Sequence, residues 1–239
     1  IKVVLLTIIW AVVTLLILMP VKNQYMSSLE FARSLVQWKA QWIDHLWFLK
    51  ALVVIYIFFP LIKKVYDDDR KILYFFLIVT FVMTFGNVVL SNLANIVEFI
   101  AGINYLSRNI NFFGEFNPFR DIYGFSIVYF ILGGLFFKHK EKFLQKKWII
   151  PAVFSIVISM IVLTAYGVLM TISNGAVFDI TWYGYDSIPT LCMVISLYIL
   201  TLKFKVKHII SNIISLIGRN SFGIYLVHRM WGSLFIRYY

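Results

Sequence analysis

The first residues that could do chemistry are a histidine and two aromatic residues close together in the sequence: His45, Trp47 and Tyr56. An imidazole can take up or release a proton near neutral pH, and Trp and Tyr each combine an apolar body with a hydrogen-bonding tip. Together they could hold a polar substrate at the end of a helix, or they could anchor that helix at a membrane surface. Lys50 follows in the same segment, where its ammonium group either faces a polar cavity or snorkels to the surface.

A second set of polar side chains falls near the end of the sequence. Ser221, Tyr225 and His228 are spaced four and three residues apart, so they share one face of a helix. A polar stripe in an otherwise apolar span either lines a cavity or forms hydrogen bonds between helices. Asn220 or Ser221 is predicted to cap this helix. Arg120 adds a cation that could hold a sugar, a phosphate or a carboxylate, or could pair with a neighbouring acidic side chain.

No catalytic motif of soluble enzymes accompanies these residues. The sequence contains no Gly-rich phosphate loop, no His-Glu-x-x-His zinc helix and no Gly-x-Ser-x-Gly elbow. Its single cysteine, Cys192, permits neither an intrachain disulfide nor a multi-cysteine metal site. We therefore expect no metal ion in the site.

The elements that must position these side chains are membrane helices. Hydrophobic residues make up 61% of the 239 residues and charged residues only 14%, and the mean hydropathy is +0.85. The longest apolar blocks can each cross about 30 Å of hydrocarbon as a helix. We predict an all-α, polytopic membrane bundle forming one domain, 1–239. Its about seven transmembrane helices are predicted at 1–19, 45–62, 72–90, 122–137, 149–172, 187–202 and 221–236.

The positive charges predict the orientation of this bundle. The net charge of +11 is concentrated in three short loops that are separated by pairs of spans, so the loops fall on one side of the membrane. By the positive-inside rule that side is cytoplasmic, and the distribution argues against a nucleic-acid partner. The segment 20–44, on the opposite side, is predicted to be partly helical at the interface. The loops contain Lys63, Lys64, Arg70 and Lys71; Lys138, Lys140, Lys142, Lys146 and Lys147; and Lys203, Lys205 and Lys207.

Four segments of the sequence carry a resemblance to a known family. They are His45-Leu46-Trp47-Phe48-Leu49 with Pro60, Asn117-Pro118-Phe119 with Tyr129-Phe130-Ile131-Leu132-Gly133, Tyr185-Asp186-Ser187-Ile188-Pro189, and Ile217-Gly218-Arg219-Asn220-Ser221-Phe222-Gly223 with Tyr225 and His228. In their order and spacing the chain resembles acyltransferase family 3, bacterial membrane proteins that modify cell-surface sugars.

The resemblance implies an O-acyltransferase at the inner cell membrane. Its expected donor is an acyl-CoA, with acetyl-CoA as the first candidate, and its expected acceptor is a polysaccharide or glycan precursor. It implies about ten helices in a complete member, of which the first carries an Arg and a His that handle the acyl group. Because 1–19 contains neither residue, we expect the catalytic residues before Ile1 and a chain truncated at both ends. His45, Trp47, Tyr56, Arg120, Tyr225 and His228 are then candidates for the substrate tunnel or for positioning.

Two other classes of protein remain open from the residues themselves. A transporter or flippase of a lipid-linked sugar would also need a polar stripe through a helical bundle. Such a protein is expected to contain internal repeats and spans broken by paired Gly or Pro, and the sequence shows neither. A non-catalytic membrane scaffold is the third interpretation. Membrane lipids are expected partners in each case, and the oligomeric state is not predicted.

Overall fold

The structure is a computed structural model that describes residues 2–37, 43, 46–103, 113, 123–175, 177, 184–204 and 208–236. Within these ranges the chain is helical and contains no β-strand, which agrees with the predicted fold class. The helices are α1 (Lys2–Lys22), α2 (Ser28–Gln37), α3 (Trp47–Asp68), α4 (Arg70–Phe81), α5 (Asn87–Ala101), α6 (Gly124–Lys138), α7 (Lys140–Phe143), α8 (Ile149–Asn174), α9 (Ile188–Thr201) and α10 (His208–Ile236). A π-helical turn (Val82–Gly86) joins α4 to α5 without a break, and a 3-10 turn (Lys146–Trp148) precedes α8.

Three helical stretches are long and apolar enough to cross a membrane: Val3–Lys22, Arg70–Ala101 and Lys146–Asn174. Two shorter apolar helices, Gly124–Lys138 and Ile188–Thr201, accompany them. In the last of the long stretches, α8 leaves large apolar side chains such as Phe154 and Ile161 more than half exposed. Such a surface is stable only against lipid or another protein.

The other two predicted spans, 45–62 and 221–236, overlap α3 and α10, which are long but less apolar. Lys50, Lys63 and Lys64 interrupt α3, and Arg219 and His228 interrupt α10. Seven spans therefore remain a prediction, whereas the structure gives three clearly membrane-capable stretches and two shorter apolar helices.

The chain forms two compact units: Ile1–Ile57 with Lys205–Tyr239, and Phe58–Phe204. In the first unit, α1 packs on α10 around a core of Ala11, Leu15, Leu18, Ile43, Leu46, Leu49 and Leu226. Helix α1 ends at Asn23, whose φ of 52° is the left-handed conformation that Asn tolerates. Helix α2 confirms the predicted helix in segment 20–44, and its exposed Leu29 and Val36 suit a membrane interface.

A capping box begins helix α2. The Ser27 backbone N–H and hydroxyl both donate to Glu30 Oε2 at 2.9 Å, and Glu30 N–H donates to Ser27 Oγ at 3.3 Å. The two side chains thereby satisfy donors that the first turn leaves without acceptors. The signal is present in the sequence as Ser27-x-x-Glu30.

The second unit contains α4 to α9 and the end of α3. Its core joins the π-helical turn, α6 and α9 through Phe85, Val128 and Leu191. Helices α8 and α9 pack along each other, and α9 begins where Ser187 caps it, with Pro189 in its first turn. The predicted bounds of α6, α8 and α9 agree with the structure to within two residues.

Described residues of the Lys-rich loops contact neighbouring helix ends and loops in the second unit. The Lys138 ammonium nitrogen lies 4.6 Å from the ring centre of Tyr66, at the end of α3. Lys203, just beyond α9, donates to the Gln145 carbonyl at 2.6 Å. The first contact connects the ends of α3 and α6, and the second connects the end of α9 to the loop that precedes α8.

The predicted span 72–90 ends too early. Helix α5 continues to Ala101 and ends at Gly102, whose φ of 65° stops the helix. The prediction was wrong because Ser91, Asn92 and Asn95 lower the local hydropathy. Their spacing still follows one helical face, so the helix persists with a polar side.

The predicted helix start at Asn220 or Ser221 was also wrong. Helix α10 runs without interruption through both residues. Neither side chain caps a new helix: Asn220 Nδ2 donates to the Leu216 carbonyl and Ser221 Oγ to the Gly218 carbonyl, both at 2.8 Å. Side chains that bond back to the preceding turn are compatible with a continuing helix.

Candidate functional site

A stripe of polar side chains runs along one face of α4, the π-helical turn and α5. The residues follow each other at intervals of three or four, which is the repeat of a helical face. Thr80, Thr84 and Glu98 are buried, the first two in the interior and Glu98 in the last turn of a stretch that is mostly apolar. Polar groups in this position mark a functional path more often than a structural accident. The stripe consists of Thr80, Thr84, Asn87, Ser91, Asn95 and Glu98.

Hydrogen bonds satisfy most of this stripe, in two different ways. Thr84 Oγ1 donates to the Thr80 carbonyl of its own helix at 2.7 Å. Asn95 reaches another helix, because its Nδ2 donates to Tyr166 Oη of α8 at 2.8 Å. Asn87 differs from both: its Oδ1 is buried and has no hydrogen-bond partner among the described residues. A buried acceptor of this kind is costly unless a ligand, water or another group satisfies it.

A cavity of about 400 Å³ opens beside the stripe, between α5, α8 and the beginning of α9. It lies at the opposite end of α9 from Lys203, about 20 Å away at 1.5 Å per residue. The walls are mostly aliphatic, and Asn92, Tyr166 and Ser187 provide the polar groups. An apolar pocket with few polar groups is typical of a ligand site. The lining residues are Val88, Val89, Asn92, Leu93, Ile96, Val162, Leu163, Ala165, Tyr166, Leu169, Gly184, Ser187, Ile188 and Pro189.

The segment Tyr185 to Pro189 forms one edge of this cavity and is held in place from two sides. Tyr129 Oη of α6 donates to the Tyr185 carbonyl at 2.8 Å. Ser187 caps α9: its Oγ accepts from the Thr190 N–H at 3.4 Å and shares a 2.8 Å hydrogen bond with Thr190 Oγ1. Asp186 lies between Tyr185 and Ser187, and burial raises the pKa of its carboxyl group above the ordinary value. The segment is therefore a fixed wall with a carboxyl group that resists ionisation.

A second candidate cluster lies in the first unit and joins the start of α3 to α10. Tyr225 Oη accepts a hydrogen bond from the Phe48 N–H at 3.2 Å, and the two rings meet edge to face with their centres 5.5 Å apart. Trp47 in turn makes an edge contact with Phe48, at 6.2 Å between centres. The predicted residues Trp47 and Tyr225 thus belong to one aromatic cluster.

His228 completes this cluster. Its Nδ1 lies 2.6 Å from the Tyr225 carbonyl oxygen, and the two rings lie 5.6 Å apart. Because a carbonyl only accepts hydrogen bonds, Nδ1 carries the hydrogen, and Nε2 is then the acceptor nitrogen of the neutral ring. The prediction that Tyr225 and His228 share a helical face is confirmed. In this tautomer Nε2 is the ring nitrogen that could orient a hydroxyl group.

The remaining predicted residues do not join this cluster in the described part of the chain. Tyr56 lies nine residues beyond Trp47 on α3, about 13 Å along the helix, and is 58% exposed. Lys50 is half-buried in the first turn of α3. His45 and Arg120 lie outside the described residues. Among the residues that are described, no three His, Cys, Asp or Glu side chains are grouped so that they could hold a metal ion.

The polar stripe and its cavity were not predicted from the sequence, although a signal was present. The repeat from Thr80 to Glu98 has the same four-and-three spacing that identified Tyr225 and His228. Asn92 and Asn95 lower the local hydropathy and were therefore interpreted as the start of a loop, so the repeat was not recognised.

Comparison with known protein families identifies the family of the chain. The sequence model of an acyltransferase domain, that of acyltransferase family 3, matches residues 1–239. No curated protein and no solved structure matches the chain.

Proposed function

The chain belongs to acyltransferase family 3, and from this premise we propose that it is a membrane-bound O-acyltransferase of cell-surface glycans. It moves an acetyl or related acyl group from acyl-CoA, with acetyl-CoA as the first candidate, to a polysaccharide or a glycan precursor. The observation that carries the proposal is the match of the family model over the whole of residues 1–239. The membrane-capable helices support it.

The proposed topology places the Lys-rich side of the protein in the cytoplasm of a bacterial cell. About seven spans then cross the inner membrane, and the donor, which is made in the cytoplasm, arrives from the side of Lys138 and Lys203. The contacts of these loops with neighbouring helix ends and loops in the second unit support this orientation. The acceptor glycan is met at the opposite side.

The reaction is an ester-forming acyl transfer. A hydroxyl oxygen of the sugar attacks the thioester carbonyl carbon, its proton passes to a general base, the carbon–sulfur bond breaks, and the CoA thiolate leaves and is protonated. We assign this chain's candidate residues to the walls of the acceptor tunnel and to positioning, rather than to the proton transfer itself. They are His45, Trp47, Tyr56, Arg120, Tyr225 and His228.

The two candidate sites support different parts of this reaction. In the first unit, His228 Nε2 and the aromatic rings of Trp47 and Tyr225 suit a sugar, which stacks its apolar face on rings and offers hydroxyl groups to polar atoms. In the second unit, the cavity beside Asn92 and Tyr166 suits an acyl group, because an acyl group combines an apolar chain with a single carbonyl.

One observation favours the alternative of a transporter or flippase for a lipid-linked sugar. The stripe from Thr80 to Glu98 extends along much of a membrane-capable stretch, as a translocation path would. A transporter moves its sugar without consuming acyl-CoA, so the fate of the donor distinguishes the two functions.

The test is acyl transfer by the full-length protein reconstituted in liposomes, with radiolabelled acetyl-CoA and a glycan acceptor. Label is expected in the glycan. The variants His45→Ala and His228→Ala are expected to lower transfer about 10- to 100-fold, chiefly through a higher KM for the acceptor, because each removes a contact that binds the acceptor in both the ground state and the transition state. His139→Ala, in the Lys-rich loop, is the matched control and keeps the activity.

Two results would count against the proposal. If the wild-type protein transports sugar across the liposome without transferring label, the acyltransferase assignment is wrong. If both histidine variants insert into the membrane and transfer label as well as the wild type, the histidines are interfacial anchors instead.

A further inference from the structure

A further groove lies between α3 and α6, within the second unit, on the other side of Tyr129 from the first candidate site. It encloses about 850 Å³. The rings of Phe59 and Phe130 meet across it edge to face, with centres 6.1 Å apart. Further along, Tyr66 Oη donates to the Gly134 carbonyl at 3.3 Å. The same order of contacts on both helices shows that α3 and α6 run in the same direction and end on the same side.

Glycine keeps the floor of the groove open. A Cβ added at Gly133 would meet no other atom within 4 Å, and one added at Gly134 would meet only the Tyr66 ring, at 3.9 Å. The walls are apolar and accessible from outside, since Phe59 is 41% and Phe130 37% exposed. At the level of the hydrocarbon, an open apolar groove of this kind is filled by a chain of similar polarity.

Ammonium groups surround the other end of the groove. Lys63 lines it, Lys138 Nζ lies 4.6 Å from the ring centre of Tyr66, and Lys140 Nζ lies 5.0 Å from that of Phe137, which is also a lining residue. Asp67 offsets one charge through its 2.8 Å ion pair with Lys63. Lys138 and Lys140 hold their ammonium groups over ring faces instead, which leaves this end of the groove positively charged.

We propose that this groove is a binding site for an anionic phospholipid. An acyl chain lies along the aromatic walls and over Gly133, and the headgroup phosphate lies among Lys63, Lys138 and Lys140. Basic pockets between membrane helices recognise anionic headgroups in this way, through charge at the surface and apolar contact below it. A zwitterionic lipid would lack the net charge, and a free phosphate ion would lack the chain. The bound lipid joins α3 to α6 and stabilises the second unit, independently of acyl transfer.

The test is the lipid dependence of thermal stability, measured on the purified full-length protein in a neutral detergent. Phosphatidylglycerol is expected to raise Tm, and phosphatidylcholine and inorganic phosphate are not. Replacing both Lys138 and Lys140 by Gln is expected to raise the half-saturating lipid concentration about 25-fold, at about fivefold for each lysine near a membrane surface.

A pair of glycine variants tests the apolar part of the site. Gly133→Leu fills the groove and is expected to abolish the lipid-induced rise in Tm. Gly167→Leu is the matched control, because it adds the same side chain to α8 where a Cβ also meets no atom within 4 Å, and it is expected to keep the rise. Should Gly133→Leu fail to fold, the lysine double variant decides alone.

Three results would overturn the proposal. An equal rise with phosphatidylcholine would mean that the groove takes any lipid. An equal rise with inorganic phosphate would identify a free-anion site without a lipid chain. An unchanged phosphatidylglycerol response in the Lys138→Gln, Lys140→Gln protein would remove the headgroup contact altogether.

Discussion

The hydroxyl group of Tyr225 offers the sharpest test of the cluster between α3 and α10. It accepts a hydrogen bond from the Phe48 N–H at 3.2 Å. Phe48 lies in the first turn of α3, where the helix itself supplies no acceptor for a backbone N–H. Tyr225→Phe removes this acceptor and keeps the ring, so the edge-to-face contact with Phe48 at 5.5 Å remains.

The expected loss is that of one hydrogen bond at a membrane-protein helix end, about 1 kcal/mol of unfolding free energy. For a protein of this size that lowers Tm by about 2–4 °C. Tyr225→Ala also loses the ring that packs on the core of the first unit, which adds about 2–3 kcal/mol. The measurement is thermal unfolding of the purified full-length protein in detergent, followed by circular dichroism.

Tyr56→Phe is the matched control. It removes a tyrosine hydroxyl from α3 that is exposed and makes no hydrogen bond to the described residues, so Tm should not change. The reasoning is refuted if Tyr225→Phe keeps the wild-type Tm, or if Tyr56→Phe lowers it by the same amount.

Three further predictions concern the second unit and helix α2. Tyr166→Phe removes the acceptor of Asn95 and should lower the unfolding free energy by about 1 kcal/mol. Adding Asn95→Leu to the Tyr166→Phe variant should cause no similar further loss. Additive losses in this double-mutant cycle would disprove the coupling. Because burial raises the pKa of the Asp186 carboxyl above 3.8, the fold favours the protonated form, and stability falls as the pH rises through the raised pKa. Asp186→Asn should remove this fall in a Tm series from about pH 4 to about pH 8, and identical pH profiles would contradict it. Hydrogen bonds from Ser27 lower the pKa of Glu30 below 4.5, so the cap is complete above pH 4.5 and is lost as the pH falls through the lowered pKa. Glu30→Ala should speed amide hydrogen exchange in 28–37 at neutral pH. Unchanged exchange would show that the cap contributes nothing.

Long apolar blocks predicted the membrane-capable helices of the second unit. Helix α8 begins at Ile149, as predicted, and ends two residues later than predicted, because Gly175 adopts a φ of 65° just beyond it. Helix α9 agrees because Ser187 is a recognisable cap. In these helices every side chain meets the same apolar surroundings, so composition alone is informative.

Polar residues inside a span were harder to interpret. Asn92 and Asn95 resembled the start of a loop, and Asn220 and Ser221 resembled a helix cap, yet all four lie within continuous helices. Whether such a side chain faces water, a cavity or its own backbone depends on the neighbouring helix, which a single sequence does not reveal. The pairing of Asn95 with Tyr166, far apart in the sequence, is of this kind.

The candidate site was predicted in part. Tyr225 and His228 come together because their spacing is local to one helix, and Trp47 joins them through Phe48, the residue next to it. The cavity of the second unit depends on three helices that are distant in the sequence, so no local pattern indicated it.

The acyltransferase assignment is tested most directly by the ester-linked acyl content of the surface glycan, compared between a strain that lacks the gene and one in which the full-length gene is restored. The glycan is expected to lose its acyl groups without the gene and to regain them on restoration. Unchanged acylation together with accumulation of lipid-linked sugar inside the cell would contradict the assignment and identify a flippase.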